Sequence, residues 1–219
     1  MKKFILTDET IEMFGVTLHR IKAVRSFGNV KEGDLGGFVE KEENISENFE
    51  AWVCGNAKVY GNAKVCGDAK VYGDAKVYGN AEVYSDALVC GDALVYGNAE
   101  VCGDAKVYGN AEVCGDALVY GNAKVYGNAK VYGNAEVCGD ALVYGNADYI
   151  VFKNWWSSGR YFTWTRSNNM WSVGCFYGTG EELIKKAYQD SEKSGREYER
   201  VVKFVQSILA DENNEKTTK

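Results

Sequence analysis

The chain has 219 residues, with 25 Lys and Arg against 31 Asp and Glu, for a formal net charge of −6. That balance argues against a general binder of nucleic acid or anionic membrane, since both select clustered positive charge; 46% hydrophobic residues exclude a chain that is disordered by composition. Proline is absent while glycine numbers 25, which points to one repeated motif dominating the count.

Residues 1–50 hold no clean repeat. Met1 to Leu6 is too short for the apolar segment of a signal peptide, and no apolar stretch is long enough to span a bilayer, so the expectation is a cytoplasmic protein. The β-rich alternation from Thr10 to Val24 breaks at Gly15, the pattern of a hairpin. A glycine-rich run from Gly33 to Val39 then leads through acidic residues to Trp52.

From Ala51 to Asn146 the sequence reads Ala-x-Val-[Tyr/Cys]-Gly-[Asn/Asp] sixteen times without insertion. Ala holds position 1 and Val position 3 in every copy, and Ser85 is the single replacement of Gly at position 5. A period of six is not helical. Lys58, Val59 and Tyr60 point out, in and out by the two-residue alternation of a strand, so each hexad is a short strand with one buried Val. Gly-Asn and Gly-Asp supply the turn that follows. Three such turns close a triangular coil of 18 residues, and about five regular coils stack at the strand spacing of about 4.8 Å. Open coil ends expose core and unpaired edge groups, so residues 1–50 are read as an N-terminal β cap on a repeat domain spanning 51–150.

The pairing of an aliphatic residue with a small one four positions later, as in Val59 and Ala63, resembles the hexapeptide-repeat, left-handed β-helix family. The resemblance covers 96 of the 219 residues and implies a left-handed parallel β-helix in a mainly β protein. Arg20 to Arg25, then Gly36-Gly37-Phe38 and the hexads, also look like a group of hexapeptide-repeat proteins from prophages and gut bacteria. That likeness implies a phage or mobile-element origin and no mechanism.

With an 18-residue period, the outer surface is written directly from the sequence. Position 4 gives ladders: Cys54, Tyr72, Cys90, Tyr108, Tyr126 and Tyr144 on a first face; Tyr60, Tyr78, Tyr96, Cys114 and Tyr132 on a second; and Cys66, Tyr84, Cys102, Tyr120 and Cys138 on a third. Stacking between coils is one reading of the tyrosines, and a platform for a partner or ligand is the other. Cysteines two coils apart are about 9.6 Å distant, too far for a disulfide, and their spacing matches no zinc motif. The third face and the corner after it form an acidic edge of Asp68, Glu82, Asp86, Glu100, Asp104, Glu136 and Asp140. Either it draws cations or a basic protein surface, or its Asp residues simply serve the corner.

Beyond Ala147 the composition changes, with four of the five tryptophans at 155, 156, 164 and 171. Residues 151–210 are read as an α+β module. Tyr161 to Arg166 and Met170 to Tyr177 form a hairpin around Ser167-Asn168-Asn169. Thr179 with Glu182 opens a helix to about Asp190, and Ser194 with Glu197 opens a second to about Ala210. Its apolar face is Tyr198, Val201, Val202, Val205, Ile208 and Leu209. Residues 211–219 are expected to be a disordered tail.

Arg160, Trp164, Arg166, Asn168, Asn169 and Trp171 combine stacking planes with guanidinium and amide donors, the groups that bind bases or aromatic ligands. The competing reading is a tryptophan-rich core with arginine stacked outside. Many proteins of the resembling family are acyltransferases that use a His base beside a projecting loop. Here the single imidazole, His19, precedes the repeats, and the repeats carry no insertion. The sequence therefore predicts a non-enzymatic, homo-oligomeric scaffold with no cofactor or metal and no direct contact with nucleic acid or membrane. Its C-terminal module would bind a host protein, including one of antiviral defence, or a nucleotide-like ligand. An acyltransferase-like enzyme with an atypical site is the alternative.

Overall fold

The computed structural model describes residues 2–217. In each hexad, positions 2 and 3 form a two-residue strand, as at Lys58–Val59 and Leu94–Val95. Each strand pairs in parallel with the one 18 residues on, so that Lys58 opposes Lys76, Lys76 opposes Leu94 and Leu94 opposes Glu112. The three sheets produced in this way are the three faces of a parallel β-solenoid of about six turns. The alanines join the valines inside: from Ala51 to Val143 both sets are 0–1% exposed, so each hexad buries two residues where one Val was expected, because Ala lies two positions before Val and shares its inward side. Burying one Val side chain contributes about 1.5–3 kcal/mol, and its branched Cβ suits a pleated, half-buried strand.

The corner glycine is dictated twice over. Gly97 has φ +75°, and a Cβ there would sit 2.9 Å from the backbone nitrogen of Gly115 in the next coil. Both the dihedral and the coil spacing exclude a side chain. Ser85, at φ +61°, takes this conformation without being glycine. On the outside, the ladders stack: Tyr60–Tyr78 and Tyr78–Tyr96 have ring centroids 5.1 and 4.9 Å apart and nearly parallel planes.

The solenoid starts earlier than the clean repeat. Val39 pairs with Val59 and Ile45 bridges to Val65, both 20 residues apart, whereas Val53 pairs with Val71, 18 apart. A first coil therefore lies within residues 35–53 and carries two extra residues between Ile45 and Trp52. Gly36 and Gly37 let its strand Leu35–Val39 lie close, since a Cβ at either would come within 2.6 Å of the Val53 or Ala57 carbonyl oxygen. Above it, the strands Phe4–Met13 and Val16–Ala23 form the hairpin expected around Gly15, and the second pairs antiparallel with Leu35–Val39.

Outside the strand pairs themselves, the hydrogen bonds between coils run one way. Lys58 N–H donates to the Ala75 carbonyl and Lys76 N–H to the Ala93 carbonyl, and the same direction holds along the stack. The first coil is thus left mainly with carbonyls and the last mainly with N–H groups. At the first coil, the ammonium of the fully buried Lys3 donates to the Ser46 and Ala51 carbonyls at 2.5 and 2.8 Å, and the Arg20 guanidinium donates to the Gly36 carbonyl. At the last coil the partners are oxygens. Lys130 N–H donates to Asn146 Oδ1, Glu136 N–H to Thr163 Oγ1, Leu142 N–H to Ser167 Oγ and Tyr144 N–H to Asp148 Oδ2, at 2.7–2.9 Å.

Two of those oxygens come from the C-terminal module, a four-stranded antiparallel sheet with two helices. Its strands are Tyr149–Lys153, Tyr161–Thr165, Met170–Val173 and Phe176–Gly178; the expected hairpin forms its centre, with Trp164 opposite Trp171 and Thr163 opposite Ser172. Alternation gives this sheet two distinct buried faces. Thr163 and Ser172 meet the last coil, where Ser172 Oγ also donates to Glu136 Oε2 at 2.7 Å. Phe162, Trp164 and Trp171 meet the helices, packing with Leu183, Tyr198, Val202 and Val205.

Helix α1 (Gly180–Asp190) starts at the expected capping box, with Thr179 Oγ1 accepting from Glu182 N–H. Helix α2 (Glu192–Thr217) starts two residues before the expected Ser194, because Ser191 Oγ accepts the Ser194 N–H and supplies the cap. It also runs past Ala210. Residues 211–217 are helical where a disordered tail was expected, and the Arg166 guanidinium holds the Glu212 carboxylate on that extension; the remaining two tail residues lie outside the described residues.

Lys3 gives a test of the acceptor end. Burial pushes its ammonium down to about 8 from 10.5, against the opposing pull of Glu47. The folded chain then binds fewer protons than the unfolded chain across that window, so this group's contribution to stability rises with pH between the two values. Urea unfolding of wild type and Lys3→Met from pH 7 to 10.5 should show their stability difference moving toward wild type by roughly 2 kcal/mol, with tyrosine and cysteine titrations cancelling between the two. A flat difference would refute the assignment.

The donor end is tested by Thr163→Val combined with Ser167→Ala. We expect a loss of about 1–3 kcal/mol and faster amide exchange in the last coil, with the coil containing Val95 unchanged. Uniform exchange along the solenoid would contradict this.

Candidate functional site

Of the six residues singled out in the C-terminal module, five are committed to its own architecture. Trp164 and Trp171 are 0% and 2% exposed, so neither offers a face to a ligand; the small module spends both on its core. Trp164 Nε1 donates to Asn169 Oδ1, which sits in the hairpin turn at φ +53°. Asn168 accepts from Thr165 Oγ1 and donates to the Tyr177 hydroxyl. The Arg166 guanidinium lies 5.8 Å from the Trp164 ring centroid, pairs with Glu212 and donates to the Ala147 carbonyl. These contacts match the core-with-stacked-arginine alternative.

Arg160 is different. It is exposed, and among the described residues its guanidinium has no ion pair. It ends the loop after Asn154, a residue that fixes the loop by accepting from both the N–H and the hydroxyl of Ser157. Gly159, at φ +70°, then returns the chain to the sheet, where Asn154 N–H donates to the Arg160 carbonyl. Arg160 and Tyr161 stand between two cavities. One, of about 320 Å³, lies toward the helices and is bounded by Phe176, Leu183, Lys186, Asp190 and Tyr198. The other, of about 360 Å³, lies against the third face and is bounded by Glu100, Asp116, Leu118 and Glu136. Lys186, Asp190 and Tyr161 were not singled out from the sequence. Asp190 carried the usable signal, a carboxylate in the last turn of a predicted helix.

The acidic edge is largely occupied. Lys64 lies 4.0 Å from Glu82, Glu100 accepts from the Tyr84 hydroxyl at 2.8 Å, and Glu136 accepts from Ser172. Asp68 accepts the Glu50 N–H and Asp140 accepts from Asn122. Asp86 and Asp104 stand in a shallow groove beside Lys70 and Lys106. No group of three His, Cys, Asp or Glu side chains converges on a metal position among the described residues.

The seven cysteines are free. Burial pushes the Cys54, Cys66, Cys102 and Cys138 thiols up, which keeps them protonated and weakly nucleophilic. Where a tyrosine is followed by a cysteine one coil on, as at Tyr72–Cys90 and Tyr84–Cys102, the hydroxyl meets the thiol and the tyrosine is raised, Tyr72 to about 12. His19 lies in a strand with Nδ1 3.2 Å from the Thr7 carbonyl oxygen. Among the described residues, no helix is long and apolar enough to cross a membrane.

No protein-family model matches the chain, and no curated protein matches it.

Core and surface roles separate on mutation. Trp171→Ala should cost about 3–5 kcal/mol and abolish the near-ultraviolet dichroism of the module, whereas Arg160→Ala should shift the urea midpoint by the equivalent of less than about 0.5 kcal/mol.

Proposed function

We propose that the protein is a non-enzymatic scaffold and binding protein in which the solenoid is a rigid spacer and the C-terminal module recognises a partner at Arg160. The observation that carries this reading is the place of Arg160: an exposed guanidinium, with no ion pair among the described residues, on an ordered loop and shared by two cavities of ligand size. The module is bonded to the last coil through Thr163, Ser167 and Ser172, so whatever binds at Arg160 is held rigidly to the spacer.

A cytoplasmic setting fits the free thiols. The likeness of residues 20–38 and the hexads to prophage and gut-bacterial proteins supports a phage or mobile-element origin, and with it a role in sequestering a host component, including one of defence. The exposed Tyr132, Leu142 and Tyr144, all in the last regular coil, provide apolar surface for self-association.

Capture from a bacterial lysate with wild type and an Arg160→Ala, Tyr161→Ala variant tests the reading. The expected result is a partner retained by wild type and lost by the equally stable variant. Equal retention by both overturns the C-terminal site, and turnover of acyl-CoA donors by the purified protein overturns the non-enzymatic assignment.

A further inference from the structure

The helix-side cavity is divided chemically in a way that packing does not explain. Tyr161, Phe162 and Phe176 from the sheet and Leu183 from α1 make its walls aromatic and aliphatic. Arg160 and Lys186 stand in the same lining, and neither has an ion pair among the described residues. Asp190 faces the cavity from the last turn of α1. Helix carbonyls make that end negative, and α1 has no basic residue there to offset the carboxylate. Asp190 also makes no ion pair with Lys186, one turn earlier, so neither the helix dipole nor a local pair accounts for its presence. Breaches of a local rule concentrate where a site needs them. Deeper in, the Tyr198 hydroxyl accepts the Asn154 amide at 3.0 Å, which leaves its own proton to donate; burial and the charge of Asp190 keep that proton in place.

Three simple ligands are poor fits to this lining. A purely apolar molecule would desolvate two cations and a carboxylate without partners. A bare anion would meet Asp190 and leave the aromatic walls wet. A bare cation would meet Arg160 and Lys186. A ligand that joins one anionic group to a planar body edged with N–H donors satisfies every group present. The volume of about 320 Å³ lies at the lower end of the range for small-molecule pockets and far above the space of a single water.

We propose that this cavity binds a nucleoside monophosphate, with the phosphate held by Arg160 and Lys186, the base against Tyr161 and Phe176, and the N–H edge of the base at Asp190. The proposal rests on the reading of the C-terminal module as the recognition unit.

Titration calorimetry on the full chain at 0.05 M and 0.15 M salt, with GMP, AMP, guanosine, inorganic phosphate and tryptophan as separate probes, tests it. Wild type should bind one equivalent of GMP or AMP, more tightly at the lower salt, and should bind guanosine and phosphate at least about 100-fold more weakly. Arg160→Ala with Lys186→Ala should weaken nucleotide binding by about 100-fold, since each charge-assisted contact is worth roughly tenfold or more. Asp190→Asn should change the ratio of GMP to AMP affinity. Ser194→Trp, which plugs the cavity from α2, should abolish binding, and it stands as an independent test should the double variant lose its fold.

Failure of wild type to bind either nucleotide overturns the proposal. So does phosphate or guanosine binding as tightly as GMP, tryptophan binding more tightly than GMP, or Ser194→Trp binding like wild type. If nucleotide binding fails while capture of a lysate partner still depends on Arg160, the ligand class falls and the recognition reading survives; loss of both removes both.

Discussion

Outside the strand pairs, the hydrogen bonds that join successive coils share one direction, and the rest of this molecule is arranged around that fact. Each coil donates N–H groups of its second, fourth and sixth repeat positions to carbonyls of the next, so the last coil leaves mainly donors behind and the first mainly acceptors. The two ends therefore need opposite chemistry. Lys3 and Arg20, which only donate, close the first coil; Asn146, Asp148, Thr163 and Ser167, which accept, close the last. Charge follows from the same rule: a fully buried lysine at one end is held by the carbonyls it serves, and a fully buried threonine at the other by the amide it receives. The C-terminal module is thus both a separate α+β unit and the closing surface of the solenoid.

The repeat region could be read because one requirement recurs at each position: Val for the inward strand site, Gly for a backbone that must take positive φ where a Cβ would collide with the next coil. Where that agreement loosens, the reading fails. The first coil was hidden because Ile45 and Val53 are eight residues apart and no glycine marks the corner; Phe49 takes it instead, at φ +61°. Handedness rests on the family resemblance alone. In the C-terminal part, local signals carried the hairpin and the Thr179 cap. Two serines three residues apart, Ser191 and Ser194, offered alternative caps for α2, and the hydroxyl that won belongs to the first.

The site was less legible, for a physical reason. Stacking planes and donors have the same composition in a core and in a binding pocket, and only the register separates them. Trp164 and Trp171 are equidistant from the turn and so lie opposite one another, on the face shared with Phe162; their alternation with Thr163 and Ser172 assigns the aromatic face to the helices. Applied to the sequence, that symmetry would have moved both tryptophans into the core. Arg160, just outside the strand, escapes the strand pairing and stays exposed. Lys186 and Asp190 reach the same cavity from α1, which no spacing argument connects to residue 160.

Because neither terminal seal depends on how many coils lie between them, length is an independent variable of this design. Removing or duplicating an 18-residue block would shorten or lengthen the spacer by about 4.8 Å and return every column to its own face. A six-residue change would rotate everything downstream by a third of a revolution and present Thr163 and Ser167 to the wrong sides. Only whole revolutions preserve the closing contacts, so reach can change while the two seals, and the cavities beside Arg160, stay as they are.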